Sequence, residues 1–431
     1  MLKNIKMKKT ISLVCSIALC STLSAKEISL DELIEIALKN NTNIQIAKNE
    51  KDIKVQELEK TKSLYLPTLS ANANIGEYDI KASGLTQEGS ASSVTINANQ
   101  LIYDFGKTSS LIDASKNNLN AISTQITSNT QETILLVKKA YYDILNKYQQ
   151  IEVAQESVKL DELQLSQANE YFKAGIRTQI DVTNAKLNLS NSQLKLVKAK
   201  YAYKIEKTKL ISILGLNLDK QIDIKSQNKD IKNLAKNTTL KYDNLEELIN
   251  LALKQRAEIK KYQELIKTNK ANIKNVKSQY YPTLDASASY TDKNSDDINS
   301  LETSQTAIML NLKWNLFTGF STSKDKKIAI SNLSSTNKQL EQTKLQITQD
   351  ITNAYFNMKQ SFDSIKIGLL SLDLSIKNLN LANERYKAGL NDLLEVNDAK
   401  LEYTQAKNSL INSYYTHLSN NAQVKYELGI K

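Results

Sequence analysis

The chain contains two copies of one long structural unit. The segment 30–39, Leu-Asp-Glu-Leu-Ile-Glu-Ile-Ala-Leu-Lys, returns at 245–254 as Leu-Glu-Glu-Leu-Ile-Asn-Leu-Ala-Leu-Lys. The Lys-Ala-Gly sequence at 173–175 returns at 387–389, at almost the same spacing, so almost no insertion separates the copies. A unit of about 200 residues is too long for a solenoid repeat of 20–50 residues. The duplication therefore predicts two pseudo-equivalent halves of one object.

The first 25 residues have the pattern of a secretory signal peptide. Four lysines precede the short apolar stretch 11–19, and Leu23-Ser24-Ala25 offers a small-residue cleavage site. Both cysteines, Cys15 and Cys20, lie in this removable segment, so the mature chain would have no thiol, disulfide or cysteine-ligated metal. Cys20 follows Leu19 rather than a small residue, which disfavours lipidation at this cysteine.

Composition argues against catalysis and against nucleic-acid binding. His417 is the only histidine, and we expect it to be a surface or packing residue. Because no catalytic triad, metal cluster or phosphate loop is present, the sequence predicts no enzyme, no cofactor and no metal site. The formal net charge is +11, but the lysines are scattered among acids and form no basic stripe with interleaved aromatic residues. A solvated lysine-rich surface is therefore favoured over a nucleic-acid interface.

Two segments have the pattern of very long helices. The chain has only two prolines and ten glycines, which predicts long uninterrupted elements. Segments 107–172 and 321–386 carry apolar residues mostly at spacings of three, four and seven, as in a coiled coil. About 65 residues at 1.5 Å per residue give a rod of roughly 100 Å. The seam positions are Ile112, Leu119, Ile122, Ile126, Val137, Tyr141, Ile144, Tyr148 and Ile151, then Ile330, Leu333, Leu340, Ile347, Ile351, Ala354 and Met358.

Shorter helical segments accompany each long one. They cover 29–63 and 180–214 in the first half, and 245–278 and 390–426 in the second. Each is about half as long as the rod. A glycine at the end of the long helix predicts a turn there, after which one short helix returns beside the rod. The earlier short helix would then cover the remaining length, end to end with its partner.

Between the short and the long helix of each half, the period changes from helical to alternating. Such alternation predicts strands of roughly ten residues, which is about the length that a tilted strand needs to cross an outer membrane. Half-buried hairpins of a soluble sheet would show the same alternation, but the export signal and the long rods favour membrane strands. The four alternating segments begin near Leu69, Val94, Leu284 and Ile308, and the polar hairpin tips cover 81–90 and 292–303.

The only two prolines, Pro67 and Pro282, occupy matched positions at the predicted helix-to-strand junctions. Proline removes an amide donor and disfavours helix in the residue before it, so both help to end a helix. Four strands cannot close a barrel, and an open sheet edge in lipid costs several kcal/mol per unpaired group. The membrane interpretation therefore requires oligomerisation, and three copies would supply twelve strands, a number found in known barrels.

Taken together, these segments resemble the TolC-like outer-membrane efflux protein family, also called outer membrane factors, over nearly the whole mature chain. The resemblance is carried by the order and spacing of several short motifs. These are the duplication, Tyr-Leu-Pro-Thr-Leu at 65–69, Tyr-Tyr-Pro-Thr-Leu at 280–284, Leu-Ile-Tyr-Asp-Phe-Gly at 101–106, Leu-Phe-Thr-Gly-Phe at 316–320, and the two Lys-Ala-Gly turns followed by Asp181-Val182 and Glu395-Val396.

The resemblance implies a mainly α fold with a β-barrel contribution. Tandemly duplicated coiled-coil hairpins and four membrane strands per chain would close, as a homotrimer, into a twelve-stranded barrel in the outer membrane and an α-helical tunnel across the periplasm. The expected parts are a signal peptide at 1–25, a first repeat at 26–215 with a β-hairpin at about 69–102 and a coiled-coil hairpin at 107–214, an equatorial linker at 216–243, and a second repeat at 244–431 with a β-hairpin at about 284–316 and a coiled-coil hairpin at 321–427.

The implied function is a passive exit duct of a tripartite efflux or type I secretion system. A periplasmic adaptor and an inner-membrane pump of RND, MFS or ABC type would open it at the helical tips. The competing class is an exported coiled-coil protein without a pore, either structural or a periplasmic adaptor. An adaptor would need glycine-rich β segments flanking a single hairpin, and a filament would not need matched proline-led strand pairs. The sequence shows no selective pocket that identifies the cargo.

The resemblance also implies site residues at the tips. By position, Tyr386, Glu395, Asp398 and Asp181 match gate residues, and threefold symmetry would turn each acid into a ring that favours cations. Acids in a first helical turn also act as caps. Both interpretations remain open for Asp181, whereas the pore role is favoured for Asp398. Asn391 stands where some family members have arginine, and Arg177 supplies an arginine in the other hairpin. The implied adaptor contacts are Lys173, Ala174, Gly175, Lys387, Ala388 and Gly389.

Overall fold

The computed structural model of the protein describes residues 28–82, 85–218, 224, 230–295 and 303–430. The predicted signal peptide lies outside the described residues, as do parts of both strand tips and most of the linker between 219 and 229. The described chain is mostly helical and has one antiparallel sheet of four strands. This confirms the fold class predicted from the sequence.

Each half contains the same run of elements. The first half has α1 Leu30–Asn40, α2 Thr42–Lys62, β1 Thr68–Ala82, β2 Leu85–Tyr103, α3 Lys107–Lys173 and α4 Gln179–Ile213. The short helix α5 Ile231–Lys236 follows, and the second half has α6 Leu245–Gln255, α7 Ala257–Ser278, β3 Thr283–Ser295, β4 Thr303–Lys313, α8 Ser321–Lys387 and α9 Leu393–Glu427. Helices α3 and α8 have 67 residues each, which confirms the predicted pair of long rods. None of the described helices is both long and apolar enough to cross a membrane.

The short helix before each strand pair is broken in two, which corrects the prediction of single helices over 29–63 and 245–278. The breaks fall at Asn41 and Arg256, both with extended backbone conformations. Asn41 Oδ1 accepts hydrogen bonds from the amides of Asn43 and Ile44, so it caps α2. The break allows α1 and α6 to turn their apolar sides against α3 and α8. Periodicity alone missed it because neither break carries proline or glycine.

The predicted end-to-end stacking of short helices is confirmed. Gly215, just after α4, has φ +68°, and a Cβ there would lie 2.5 Å from the carbonyl oxygen of Asn40 at the end of α1. Asn41 Nδ2 donates to the carbonyl of Ile213 at 3.1 Å, which ties α4 to the start of α2. In the second half, a Cβ on Gly429 would lie 3.2 Å from the carbonyl carbon of Gln255. Each long helix is therefore accompanied by a rod made of two short helices.

The helices lie side by side in a slab. Their lateral order changes at the point where the short helices meet. On the sheet side the order is α2, α3, α7, α8, and on the tip side it is α4, α3, α9, α8. The strands follow the same order, β1-β2-β3-β4, and the central β2–β3 pair joins the two halves. Strands β1 and β4 are the sheet edges and have no strand partner on their outer sides among the described residues. The two edges of the slab therefore coincide with the two edges of the sheet.

The strands are longer than predicted. They have 15, 19, 13 and 11 residues in chain order, and β2 includes residues 85–90 of the predicted polar tip. Within this segment Gly89 pairs with Tyr78 and Ser90 with Glu77. Antiparallel pairing uses backbone groups, so it continues through glycine and serine where the apolar alternation has already faded. Pro67 and Pro282 each stand directly before the first residue of a strand.

Each half has its own apolar cluster where its short helices meet the long helix, and the two clusters correspond to each other under the duplication. In α3 the buried residues include Val137, Tyr141 and Ile144, and the matched positions of α8 are Ile351, Tyr355 and Met358, which are also buried. Closer to the sheet the predicted apolar seam is wrong in part: Ile330 is exposed, and the buried positions are small residues such as Ala329 and Ala121. The large seam residues there, from Ile112 to Ile126, are only half-buried.

His417 is a packing residue and is fully buried in α9. Its Nδ1 lies 3.3 Å from the carbonyl oxygen of Met358, and Asn421 Nδ2 lies 2.8 Å from its Nε2. Burial lowers the pKa of the imidazole, which agrees with a neutral ring that donates from Nδ1 and accepts at Nε2. The only histidine of the chain therefore completes its hydrogen bonds within the protein.

Candidate functional site at the helical tips

The two hairpin tips have the same backbone geometry. At the end of α3, Gly175 has φ +73°, and the amide of Ile176 donates to the carbonyl of Tyr171 at 2.9 Å. At the end of α8, Gly389 has φ +75°, and the amide of Leu390 donates to the carbonyl of Arg385, also at 2.9 Å. These are Schellman turns, which need a residue with positive φ and therefore favour glycine.

Every residue of the two predicted docking tips, 173–175 and 387–389, is exposed. No heavy atom lies within 4 Å of a Cβ built on Gly175 or Gly389, so the tips are open on the side where that atom would point. Sequence reasoning missed the apolar residues that follow each glycine. Ile176 is 65% exposed and Leu390 is 70% exposed. The sequence does carry a signal for them, because an apolar residue follows the turn glycine in both halves. A repeated exposed apolar residue of this kind indicates an interaction surface.

Arg177 connects the tip of the first hairpin to that of the second. Its Nη2 donates to the carbonyl oxygen of Asn391 at 2.6 Å. Its guanidinium carbon lies 5.1 Å from the centroid of the Tyr386 ring, within the range of a cation–π contact. Since Arg177 precedes α4 and its two partners belong to the end of α8 and the following turn, one side chain joins the two hairpins of a single chain.

Tyr386 is the centre of this contact. It is 3% exposed and packs against Tyr171, with ring centroids 5.9 Å apart. Burial raises the pKa of its phenol, Arg177 opposes this, and Asp181 adds to it, so the phenol is neutral at physiological pH. The surrounding apolar cluster contains residues of all four tip helices, namely Ala168, Val182, Ala185, Leu379, Ala382, Leu393, Val396 and Ala399.

Asn391 and Asp181 have local structural roles in this arrangement. Asn391 Nδ2 donates to the carbonyl of Ala382 at 3.1 Å, so its side chain braces the end of α8. Asp181 Oδ2 accepts from the amide and the hydroxyl of Thr178, both at 3.0 Å, in a capping box at the start of α4. The capping interpretation of Asp181 therefore has direct geometric support.

The two predicted gate acids of α9, Glu395 and Asp398, differ in their contacts. Glu395 forms an ion pair with Arg385 at 3.2 Å, and both side chains are about half exposed. The cap of α9 is Asp392, which sequence reasoning did not single out; its Oδ1 accepts from the amides of Leu394 and Glu395. Asp398 is exposed, lies beyond the first turn of α9, and makes no hydrogen bond or ion pair with any described residue. Capping therefore cannot account for Asp398.

Above the tip, charged side chains hold α3 against α9. Asp161 is buried and pairs with Lys400, and Lys407 Nζ lies 2.5 Å from Glu156 Oε2. Tyr403 donates to Glu156 Oε1 at 2.8 Å. These contacts succeed one another along the antiparallel helices and form a polar seam between the first hairpin and the second. Within the described residues, no cluster of three or more His, Cys, Asp or Glu side chains could hold a metal ion.

Comparison with known proteins identifies the same architecture. The family model described as outer membrane efflux protein matches residues 33–216 and 248–429. The outer membrane protein TolC of Salmonella enteritidis is 24% identical, over 98% of this chain and 87% of that protein. The crystal structure of CusC has a TM-score of 0.81 at 17% identity and covers 93% of this chain and 92% of that one. The Campylobacter jejuni CmeC outer membrane channel has a TM-score of 0.78 at 18% identity, with coverages of 93% and 85%.

The structural neighbours share the fold, in which long helical hairpins extend from a four-stranded antiparallel sheet. The family model covers both halves of the duplication, and no comparison supports the alternative of an exported coiled-coil protein without a pore. The chain therefore belongs to the outer membrane efflux protein family.

Proposed function

We propose that three copies of the chain close into one conduit that spans the outer membrane and extends as a helical tunnel through the periplasm. The observation that carries this proposal is the coincidence of the sheet edges with the helix-slab edges. The outer sides of strands β1 and β4 lack described strand partners, and the helices that follow the same order end at α2 and α8. Lateral association of copies would pair the strands and pack the helices in a single step.

The exposed side chains of the sheet support its insertion into lipid. Leu69, Ile75 and Ile308 are among the large apolar residues that the single chain leaves mostly exposed. Such surface is unfavourable in water and favourable in a bilayer. In lipid, however, the unpaired backbone groups of β1 and β4 would cost several kcal/mol each. Twelve strands from three copies would satisfy both requirements.

A periplasmic adaptor and an inner-membrane pump would act at the tips. The residues 173–175 and 387–389 are exposed and are followed by exposed apolar side chains, which suits a partner that packs against them. The duct itself would be passive, with energy supplied by the pump, in efflux or in type I secretion. In this proposal no residue of the chain has a catalytic role.

The gate would lie at the same tips. The contacts of Arg177 with Tyr386 and Asn391 would hold the second hairpin against the first in a closed gate. Opening would separate these contacts and those of Glu395 with Arg385. Asp398, which has no described partner, is the acid best placed to act as a free ring of charge after assembly. Asp181 contributes charge near Tyr386 while it caps α4.

The assembly can be tested by cross-linking, because the only two cysteines of the chain lie in the predicted signal peptide. Single cysteines introduced along β1 would be combined with single cysteines along β4, and the protein would be purified from the outer membrane. We expect disulfide-linked dimers and trimers for some combinations. Cysteine pairs at registered positions of β2 and β3, such as Asn97 and Ser289, serve as the control and should link only within one chain. A soluble monomer without intermolecular links would contradict the proposal.

A further inference from the structure

A cavity of about 460 Å³ lies in the middle of the chain, between α3, α9 and the segment that follows α5. Lys138 and Tyr142 line it from α3, and Tyr414 and Lys425 are among the residues that line it from α9. The segment 237–241 forms the third wall. The cavity is separate from the helical tips, and none of the gate or docking residues contributes to it.

The charged residues that line this cavity are all positive. Three of its lining residues are lysines, Lys138, Lys241 and Lys425, and none is an acid. None of the three ammonium groups forms an ion pair or hydrogen bond with a described residue. Burial lowers the pKa of Lys138, and the charge of Lys425 lowers it further, whereas Asp31 on α1 acts in the opposite direction. The two ammonium groups therefore repel each other, and an anion between them would relieve that repulsion.

The rest of the wall combines apolar and aromatic residues with uncharged polar ones, namely Asn237, Thr238, Thr239 and Asn421, and with His417. Leu234, Leu418 and Ala422 contribute aliphatic surface beside the two tyrosine rings. Burial raises the pKa of both Tyr142 and Tyr414, so their phenols are uncharged at physiological pH. Concave sites that combine an apolar lining with a few convergent polar groups are typical of small-molecule binding sites.

Lysines do not occupy the matched positions in the other copy of the duplicated unit. When the two copies are aligned on their Lys-Ala-Gly turns, Lys138 corresponds to Thr352, and Lys425 corresponds to Ile211. The seam between α3 and α9 occurs within one chain, away from the slab edges formed by α4 and α8, where other copies would pack. Each chain would therefore have one such lysine-lined cavity, at the seam between α3 and α9.

The position along α3 limits the source of a ligand. Helix α3 starts at Lys107, and Lys138 lies roughly 45 Å from that start along the helix axis. A lipid headgroup at the strand end of the molecule cannot reach this distance. The ligand must come from the aqueous space around the helices.

We propose that this cavity binds a small organic anion with an aromatic or aliphatic body, whose carboxylate, sulfonate or phosphate lies between Lys138 and Lys425. The apolar body would contact Leu234, Leu418 and the tyrosine rings. Bound there, the ligand would bridge α3 of the first hairpin and α9 of the second. The proposal does not depend on the transport function, and its failure would leave the channel assignment unchanged.

The test uses the purified full-length protein in detergent, with naphthalene-1-sulfonate as the probe and calorimetric titration as the measurement. The uncharged 1-naphthalenemethanol is the matched probe for the apolar body alone. We expect the sulfonate to bind wild type at least ten times more tightly than the alcohol, and the difference to shrink as salt screens the charges. No binding of the sulfonate, or equal binding of the two probes, would overturn the proposal.

Three variants locate the site. Lys138→Gln combined with Lys425→Gln is expected to weaken sulfonate binding at least tenfold without changing the binding of the alcohol. Lys241 is more exposed than Lys138 and Lys425. Lys241→Gln should therefore weaken sulfonate binding by only about twofold to fivefold, the range of a solvent-screened ion pair. Lys51→Gln combined with Lys60→Gln, on exposed positions of α2, is the matched control and should bind as wild type does. Equal loss in the control and the cavity variant would show that binding reflects overall charge alone, and would overturn the proposal.

Discussion

The guanidinium carbon of Arg177 lies 5.1 Å from the ring centroid of Tyr386, so a cation of the first hairpin rests on a buried aromatic residue of the second. The same guanidinium donates to the carbonyl of Asn391. The two contacts use different properties of arginine, its charge and its planar array of donors. They make Arg177 the residue through which the two tips of one chain are held together.

Replacing Arg177 should therefore loosen the closed tip. We expect Arg177→Ala to raise the fraction of open channels about tenfold, because a charge-assisted hydrogen bond contributes about 1.5 kcal/mol or more. Single-channel conductance in planar bilayers measures this fraction. Lys366→Ala is the control, since Lys366 pairs with Asp363 on the same helix, at an exposed position away from the tip. A closed fraction in Arg177→Ala equal to that of wild type would remove Arg177 from the gate.

Asp398 should set the charge preference of the tip. Asp398→Asn is expected to lower the cation selectivity of the channel and its block by multivalent cations, because the carboxylate has no described partner to neutralise it. Reversal potentials in a salt gradient measure the selectivity. Asp392→Asn removes the same charge nearby, and asparagine preserves the helix cap, so it is the matched control. If both variants shift the selectivity equally, the effect belongs to the general field of the tip.

Alanine substitution at two glycines with positive φ should lower the stability of the protein by different amounts. At Gly175 the cost is the backbone strain alone, about 1 kcal/mol, because nothing lies within 4 Å of the added Cβ. At Gly215 the same methyl would lie 2.5 Å from the carbonyl oxygen of Asn40, so the junction between α4 and α1 must move. We therefore expect Gly215→Ala to lower the thermal unfolding temperature clearly more than Gly175→Ala. Similar temperatures for the two variants would contradict the end-to-end contact.

Arg256 should be important for stability because it neutralises a buried acid. Its Nη1 lies 2.5 Å from Glu427 Oε2, its Nε lies 2.9 Å from Glu258 Oε2, and Arg256 and Glu427 are both buried. Removing one partner of a buried pair costs about 3 kcal/mol or more, since the other charge remains. We expect Arg256→Met to be destabilised by that amount at neutral pH, as measured by denaturant unfolding.

The sign of the pH dependence follows from Glu427. Burial raises the pKa of its carboxyl above the ordinary 4.5, and Arg256 opposes this rise. Without Arg256 the folded-state pKa rises further, so the folded protein binds more protons than the unfolded chain in the window above pH 4.5. Stability of Arg256→Met should then fall as the pH rises through that window. Lys338→Met, at an exposed ion pair, is the control and should show neither effect.

Several features of the fold could be predicted because they depend on local chemistry and repetition. The nearly constant spacing between repeated segments predicted matched halves, and the scarcity of glycine and proline predicted rods of the observed length. The glycines at 175 and 389 predicted the turns, because a Schellman turn requires a positive φ that other residues adopt at a cost. Pro67 and Pro282 predicted where helices end and strands begin.

Other features depended on contacts between distant segments. The breaks at Asn41 and Arg256 contain no proline or glycine and arise where α1 and α6 turn onto the long helices. The strands extend past the apolar alternation, because backbone pairing continues through polar residues. Near the sheet the buried seam uses alanine and threonine in place of the larger apolar residues, including Ile330, that periodicity favoured.

The duplication, the long helices, the strand pairs and the turns follow from the amino-acid sequence, because each depends on repetition or on the backbone preferences of neighbouring residues. Which side chains meet across the two hairpins depends on the folded arrangement of the helices. That arrangement placed Arg177 on Tyr386, assigned Asp181 to a cap, and left Asp398 without a described partner. The physical reason is that contacts between residues far apart in the chain depend on how the rods pack, and helical periodicity indicates which face of a rod is apolar but not which rod that face meets.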